Sequence, residues 1–507
     1  MEQNKRFKTK PYAHQKGCLE KFGGREYFAL NGEQGTGKTW IILNDVAELW
    51  AKHEVDTLLV FAPNGVHTNW VLKEIPTHLP DWVRVRYAAW YSSPSKKDKM
   101  ALASVLDSTD STELKIITMN WEALQHKKGQ EFARQFCMRS RKLMIVGDET
   151  QRIKEPTATR TKNYLALKKF AHFRRNMSGT PITNGPFGAF SQYSFLDESI
   201  LGTTSYFAFK AEYAQMEDPN SPKMLGLMKA KNLRRAPQIP MKDKQTGRAV
   251  YRNLDKLQKI IEPHTFRILK EECLDLPKKT YKTVWFEMTP EQKEIYKYAE
   301  DEFRLSLDGE VSTLTHLTLL GKLAQITSGY YLYPNTSEPV RIGSSNPKLE
   351  LLVERVKDSL EDGHSVIVWA RFRVEIEDIV VALREADPNL VQYHGGISGA
   401  DRITAIDDFQ SGKAKIFVSQ QQAGGTGITL TAASRVYYFS NTFSLEDRLQ
   451  SEDRCHRIGQ GKFVSYTDIL AKDSIDASIV GALANKQNIS DIVTGDAFRK
   501  SLPKGKK

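Results

Sequence analysis

Residues 32–39 read GEQGTGKT, and no other stretch limits so strongly what this chain can fold into. A glycine, four residues and then Gly-Lys-Thr is the spacing of a loop that wraps a phosphate. Gly32, Gly35 and Gly37 let the backbone turn tightly around Thr36, so that N–H groups point at phosphate oxygens from the positive end of a helix starting near Lys38. The run 40–49 that follows has a helical pattern. In this reading Lys38 reaches the β- and γ-phosphates of ATP, and Thr39 offers its hydroxyl to Mg2+, whose shell is completed by water and phosphate oxygens.

The second element is LMIVGDE at 143–149, a short apolar run ending in two carboxylates. It predicts a buried strand with Asp148 and Glu149 at its C-terminal end, where parallel sheets bind ligands. Asp148 is the expected Mg2+ ligand and Glu149 the expected base for the attacking water. Upstream, KPYAHQ at 10–15 offers Gln15, whose amide can read an adenine edge or can simply cap an exposed helix start. Tyr12 beside it stacks or packs. A third element, QSEDRCHRIGQ at 450–460, predicts a helix with Arg454 and Arg457 on one face. Two planar guanidinium groups so placed suit an anionic transition state.

The pattern along the chain fits two α/β units. Apolar strands at 57–62, 115–119 and 143–146 alternate with helical stretches, and the alternation returns at 366–369, 415–419 and 435–439. Residues 289–324 have helical periodicity with few breakers. The expected fold is α/β, two tandem parallel-sheet lobes with helical insertions. The lobes are 1–200 and 346–490, with a basic helical insertion and linker at 201–276, a helical insertion at 277–345 and a basic tail at 491–507. The proline and lysine pair after Leu276 mark the junction.

At 507 residues the chain fits two or three domains, each able to bury a core. No apolar run is long enough to cross a bilayer, and the start MEQNKRFKTK lacks the apolar segment of a secretory signal, so a membrane or secreted setting is not expected, and for a bacterial or viral chain a cytoplasmic, nucleoid-associated one is. Cys18, Cys137, Cys273 and Cys455 are too dispersed for a zinc site or a disulfide framework. Lysine and arginine outnumber aspartate and glutamate by 73 to 61, for a net charge of +12, which favours a polyanionic partner. Basic residues cluster at Lys229, Lys231, Arg234, Arg235, Lys242, Lys244 and Arg248, where they grip phosphate or line a solvated face.

Together these segments resemble helicase superfamily 2, and within it the SWI/SNF-related, or Snf-type, DNA translocases. The resemblance spans nearly the whole chain. LLVFAPNGVHTNW at 58–70 and IITMNWEAL at 116–124 resemble motifs of the first lobe, GDETQRIK at 147–154 the DEAH-R-I-K box, and NMSGTPITNG at 176–185 the Ser/Thr-Gly-Thr-Pro motif. FRILKEECLDLPKK at 266–279 resembles the segment joining the lobes, and YHGGISGADRITAIDDFQ, SQQQAGGTGITLTAASRVYYFSNTFS and the His-Arg-Ile-Gly-Gln ending follow in the family's order.

The resemblance implies that both lobes are RecA-like and that the chain is a DNA-stimulated ATPase that moves along double-stranded DNA by its phosphates, as a monomer, remodelling DNA structures or protein–DNA complexes. The alternatives are a strand-separating DNA or RNA helicase and an ATP-gated nucleic-acid-binding switch. It further implies nucleic-acid contacts at Asn64, Asn120, Lys154, Arg371 and Thr429, a nucleotide contact at Gly427, and coupling roles for Ser178, Thr180 and Gln450. The sequence departs from the family in three places: Thr150-Gln151 stand where Ala-His is usual, Thr426 where leucine is, and Gln421-Gln422 where an arginine is common. An amide at 151 still permits a hydrogen bond to Ser178 or Thr180.

Overall fold

The computed structural model describes residues 6–183, 185–230, 232–233, 236–243, 249–308, 313–332, 338–423 and 428–494. The chain divides into two compact units, one holding the chain up to Glu217 together with Gln238–Leu274 and the stretch from Gln487, the other Asp218–Pro237 and Asp275–Lys486.

The first unit is built on a parallel sheet of β1 (Tyr27–Gly32), β2 (Thr57–Ala62), β3 (Val85–Ala89), β4 (Leu114–Asn120), β5 (Leu143–Asp148), β6 (Ala171–Met177) and β7 (Thr265–Ile268), in the order β3-β4-β2-β5-β6-β1-β7. Strand side chains alternate between faces. Leu59 and Phe61 of β2 therefore enter one core with Trp121, Ile145 and Tyr164, and Leu58, Val60 and Ala62 enter the other with Ile41, Val46 and Ile116. Helix α1 (Ala13–Phe22) and helix α2 (Lys38–Ala51) supply much of the second core.

The second unit repeats the design. Its sheet runs β12-β13-β11-β14-β15-β8, all parallel, from β8 (Lys279–Phe286), β11 (Ser365–Ala370), β12 (Val391–Tyr393), β13 (Ile416–Gln420), β14 (Ala433–Tyr438) and β15 (Val464–Ala471). A short antiparallel pair, β9 (Tyr330–Tyr331) and β10 (Val340–Arg341), precedes β11. Val366 and Val368 face one core while Ile367 and Trp369 face the other. The two-lobe α/β architecture is as the sequence predicts.

Two stretches differ from expectation. The insertion and linker assigned to 201–276 ends in β7, which pairs with β1, and the helical insertion assigned to 277–345 begins with β8, an eight-residue strand on the edge of the second sheet. Both are edge strands. In β8 the outer positions are mostly exposed and two are lysines, the usual protection of a sheet edge, so its sequence reads as polar linker. The continuous pattern 289–324 resolves into two helices, Pro290–Asp308 and Thr313–Thr327. Lys231, Arg234, Arg235, Lys244 and Arg248 of the basic cluster, and the tail from Arg499, lie outside the described residues.

One ion pair inside the first unit has a measurable consequence. Arg175 of β6 is 0% exposed and Asp45 of α2 1%, and Nε donates to Oδ2 at 2.9 Å. The guanidinium also donates to the carbonyls of Glu26 and Arg174 and lies 4.3 Å from the Phe28 ring. Burial alone would drive Arg175 towards neutrality, and Asp45 opposes this. Arg175→Ala is expected to cost about 3–5 kcal/mol in denaturant unfolding of the first unit, since it leaves Asp45 buried and unpaired. Replacing the pair together, Asp45→Leu with Arg175→Met, should cost far less. An equal loss in both variants would show that the pair contributes nothing specific.

Candidate active site

Because every strand of the first sheet runs the same way, the C-terminal ends of β1, β2, β4, β5 and β6 fall on one edge, and each carries a segment singled out above. After β1 the chain turns through Gly35 (φ 84°) and Gly37 (φ 77°) into α2. Gly37 has two reasons to be glycine: its left-handed backbone, and the Gln15 amide nitrogen, which lies 2.2 Å from where a Cβ would sit. The loop is held from several sides. Thr36 Oγ1 donates to the Glu33 carbonyl at 2.8 Å, Glu33 N donates to Ile268 O of β7 at 3.0 Å, and Lys38 Nζ folds back onto Gly32 O at 2.8 Å. Thr39 follows, half-buried in the first turn of α2.

Gln15 is not the exposed helix-start residue that one reading allowed. It is 3% exposed; its amide oxygen accepts from Tyr12 N at 2.8 Å and its amide nitrogen donates to Gly37 O at 3.4 Å. His14 Nε2 reaches Thr36 O at 2.8 Å, and the Tyr12 and His14 rings stack with centroids 5.7 Å apart. The segment thus grips the phosphate loop itself, and reading adenine requires Gln15 to exchange these partners.

Asp148, the last residue of β5, is 6% exposed. Burial and the neighbouring Glu149 push its carboxyl up to about 7, against the pull of Lys38 and of the Trp70 indole, whose Nε1 donates to Oδ2 at 3.1 Å. Glu149 has φ 56°, a left-handed conformation costly for a side chain with a Cβ, and it is fixed by what surrounds it. Gln151 Nε2 donates to Glu149 Oε2 at 2.8 Å, Ser178 Oγ donates to Gln151 Oε1 at 2.6 Å, and Thr180 N donates to Ser178 Oγ at 3.1 Å. The amide at 151 therefore makes the bond to Ser178 that the sequence allows. It continues into a chain linking the end of β5 to the end of β6.

Asn64 lies exposed just past β2, Asn120 ends β4 half-buried, and Lys154 follows the 3-10 turn Thr150–Ile153. Among the described residues, no group of three His, Cys, Asp or Glu is placed to hold a metal. The donors present, Thr39 and Asp148, are hard oxygens of the kind Mg2+ takes while keeping most of its shell for water and phosphate.

In the second unit the expected arginine helix is shorter than predicted. The helix Leu445–Glu452 stops before Arg454, and the chain then turns through to Gly459 (φ 98°). The cause is Gln460, whose amide nitrogen donates to Thr431 O, Ala433 O and Cys455 O at 3.1, 2.7 and 3.2 Å, tying the segment down outside the helix. Arg454 and Arg457 still meet, for Nη1 of each points to Ile428 O, at 3.5 and 3.3 Å. Arg454 is 3% exposed and Arg457 is half-buried. His456 Nε2 donates to Pro277 O at 2.7 Å.

Arg371 follows β11, half-buried against the Phe372 and Phe443 rings at 4.9 and 5.6 Å, with burial lowering its pKa. Thr429 is half-buried beside Ile428, and Gln450 is buried, donating to Glu446 Oε1 at 3.4 Å within its own helix. Gly427 and Thr426 lie outside the described residues.

Sequence reasoning missed Trp70 and Trp121, which both donate to Asp148, and a buried charge cluster beneath the arginine turn. There Arg448 donates to Asp468, Glu452 and Asn441 and lies 3.5 Å from the Tyr438 ring. Tryptophans in apolar runs carry no sign of their N–H partner, and Arg448 looks like one more surface charge of a polar helix.

Comparison with known proteins places these features. Residues 28–329 match the SNF2-related domain and residues 347–459 the helicase conserved C-terminal domain. The chain is 25% identical over 454 residues to the putative ATP-dependent helicase/translocase YwqA of Bacillus subtilis, covering 85% of this chain and 42% of that protein. It is 25% identical to a chromodomain-helicase-DNA-binding protein 1-like of Danio rerio, covering 95% of this chain and 42% of the relative. It thus spans less than half the length of these curated relatives. Among solved structures, the Sulfolobus solfataricus SWI2/SNF2 ATPase core in complex with dsDNA aligns over 98% of this chain and 96% of that one, at 23% identity and a TM-score of 0.41.

Proposed function

We propose that this chain, which belongs to the SNF2-related family, hydrolyses ATP under stimulation by double-stranded DNA and uses the cycle to move along the duplex, remodelling DNA structures or protein–DNA complexes. The observation that carries the reading is the first sheet's C-terminal edge, where a phosphate loop, two acidic residues and a hydrogen-bonded chain from Glu149 to Thr180 lie at the ends of neighbouring strands. Supporting it are the match of both family regions, in order, and the net charge of +12.

In this reading the loop 32–37 and Lys38 bind the phosphates, Thr39 and Asp148 hold Mg2+, and Glu149 takes the proton of the attacking water. Mg2+ would supply charge neutralisation at the phosphates. Arg454 and Arg457 stabilise charge on the transferred group, while Ser178, Thr180 and Gln450 couple hydrolysis to the grip on DNA. Asn64, Asn120, Lys154, Arg371 and Thr429 contact phosphates, which carry affinity without sequence preference.

The test is ATP turnover without nucleic acid and with duplex DNA, single-stranded DNA or RNA, followed by triplex displacement and fork unwinding on the best activator. Duplex stimulation and triplex displacement without unwinding are the expected results. Stimulation by RNA alone would overturn the reading in favour of an RNA-directed enzyme, and efficient separation of a plain duplex would make it a helicase.

A further inference from the structure

Two indole N–H groups converge on one residue of the first unit. Trp70 Nε1 donates to Asp148 Oδ2 at 3.1 Å, and Trp121 Nε1 donates to the Asp148 main-chain oxygen at 2.8 Å. Neither ring is open to solvent, Trp70 being 1% and Trp121 0% exposed. Trp121 is wedged between Phe61 and Tyr164, with ring centroids 5.6 and 5.0 Å away. Trp70 sits at the start of the helical turn Trp70–Glu74, in the stretch that follows β2, and Trp121 directly follows the last residue of β4.

An indole has one donor and no acceptor, so a buried one has a single polar duty. Here both duties fall on the same aspartate, one on its side chain and one on its backbone. A carboxylate with one oxygen held and its main chain fixed presents the other oxygen in a defined direction. Mg2+ tolerates little departure from octahedral geometry, so the direction of a ligand oxygen matters to it more than to a softer or larger ion. Donors to a ligand carboxylate orient it, and their loss typically weakens metal binding.

We propose that Trp70 is a positioning residue for the Mg2+ used in ATP hydrolysis, its indole N–H setting the Asp148 carboxylate while Trp121 anchors the backbone beneath it. The same hydrogen bond joins the stretch that begins at Asn64 to the carboxylate, so an occupant of that stretch acts on cation binding through Trp70. The first step rests on the proposed role of Asp148 in holding Mg2+, and the second also on the DNA-stimulated reading above.

The experiment uses the full chain with Trp70 replaced by β-(3-benzothienyl)alanine, which keeps the ring's shape and removes the N–H, and in parallel Trp70→Phe. Two quantities are measured: calorimetric Mg2+ binding in the presence of the imido analogue of ATP, and the Mg2+ concentration that half-saturates turnover, each with and without duplex DNA. Both variants are expected to need about ten-fold more Mg2+, to recover turnover in excess Mg2+, and to lose the difference that DNA makes to the Mg2+ requirement. An unchanged Mg2+ requirement, or a loss of turnover that excess Mg2+ does not restore, would overturn the assignment. Should Trp70→Phe misfold, the benzothienyl variant decides. If the wild-type protein itself is not stimulated by duplex DNA, the coupling step falls with the DNA reading, and basal Mg2+ binding still settles the role of Trp70.

Discussion

Arg457→Ala is expected to lower DNA-stimulated ATP turnover by about 10³-fold or more, the scale on which an arginine acts at a transferred phosphoryl group. The guanidinium of Arg457 is half-buried, and its Nη1 donates to Ile428 O at 3.3 Å. It sits in a turn that Gln460 braces through three carbonyls, ties that do not depend on the Arg457 side chain. The loss should appear in kcat with little change in the KM for ATP, as for an interaction made chiefly in the transition state. Arg457→Lys keeps the charge and discards the planar fork, and most of the defect should remain. Arg454→Ala is a different case: at 3% exposure it also removes packing, and a lowered unfolding temperature should accompany the lost activity. Turnover of Arg457→Ala within ten-fold of wild type would remove this residue from the reaction.

The second large effect is at Glu149. Glu149→Gln is expected to keep ATP binding and to lose turnover by about 10²- to 10⁴-fold, the range for removing a general base. The substitution is well suited to the site, because the amide oxygen of the new side chain can still accept from Gln151 Nε2, the bond of 2.8 Å that the carboxylate now makes. The left-handed backbone at 149 and the chain to Ser178 and Thr180 are then undisturbed, and only proton uptake is lost. Equilibrium binding of a fluorescent ATP analogue and single-turnover hydrolysis separate the two effects. Wild-type turnover would place the base elsewhere.

What was legible in the sequence follows from how each element is buried. Strand β2 was readable to the residue, as TLLVFA is buried on both faces and looks like nothing else. The phosphate loop and the two carboxylates were legible for a related reason, since their chemistry admits few other spacings. Strand β6 was hidden by its own charges: AHFRRNM places Arg174 and Arg175 in a sheet interior, which makes sense only once Asp45 and Glu26 are seen beside them. Strand β8 was hidden as an exposed edge. The arginine turn was misread as helix because the residue that ends it, Gln460, acts through carbonyls at 431 and 433, contacts that are invisible to local periodicity.

Glutamine at 151 has a further consequence. Histidine, usual at this place in the family that the sequence resembles, can exchange donor and acceptor between its two nitrogens and can take up a proton near neutral pH. A primary amide takes up no proton in that range, and exchanges its donor and acceptor ends only by turning over. Its nitrogen end offers a hydrogen to Glu149 and its oxygen end receives one from Ser178, so the link at 151 carries no charge of its own. In this chain the join between the strand-end carboxylate and the Ser-Gly-Thr segment therefore runs through a side chain that adds no proton-binding site of its own.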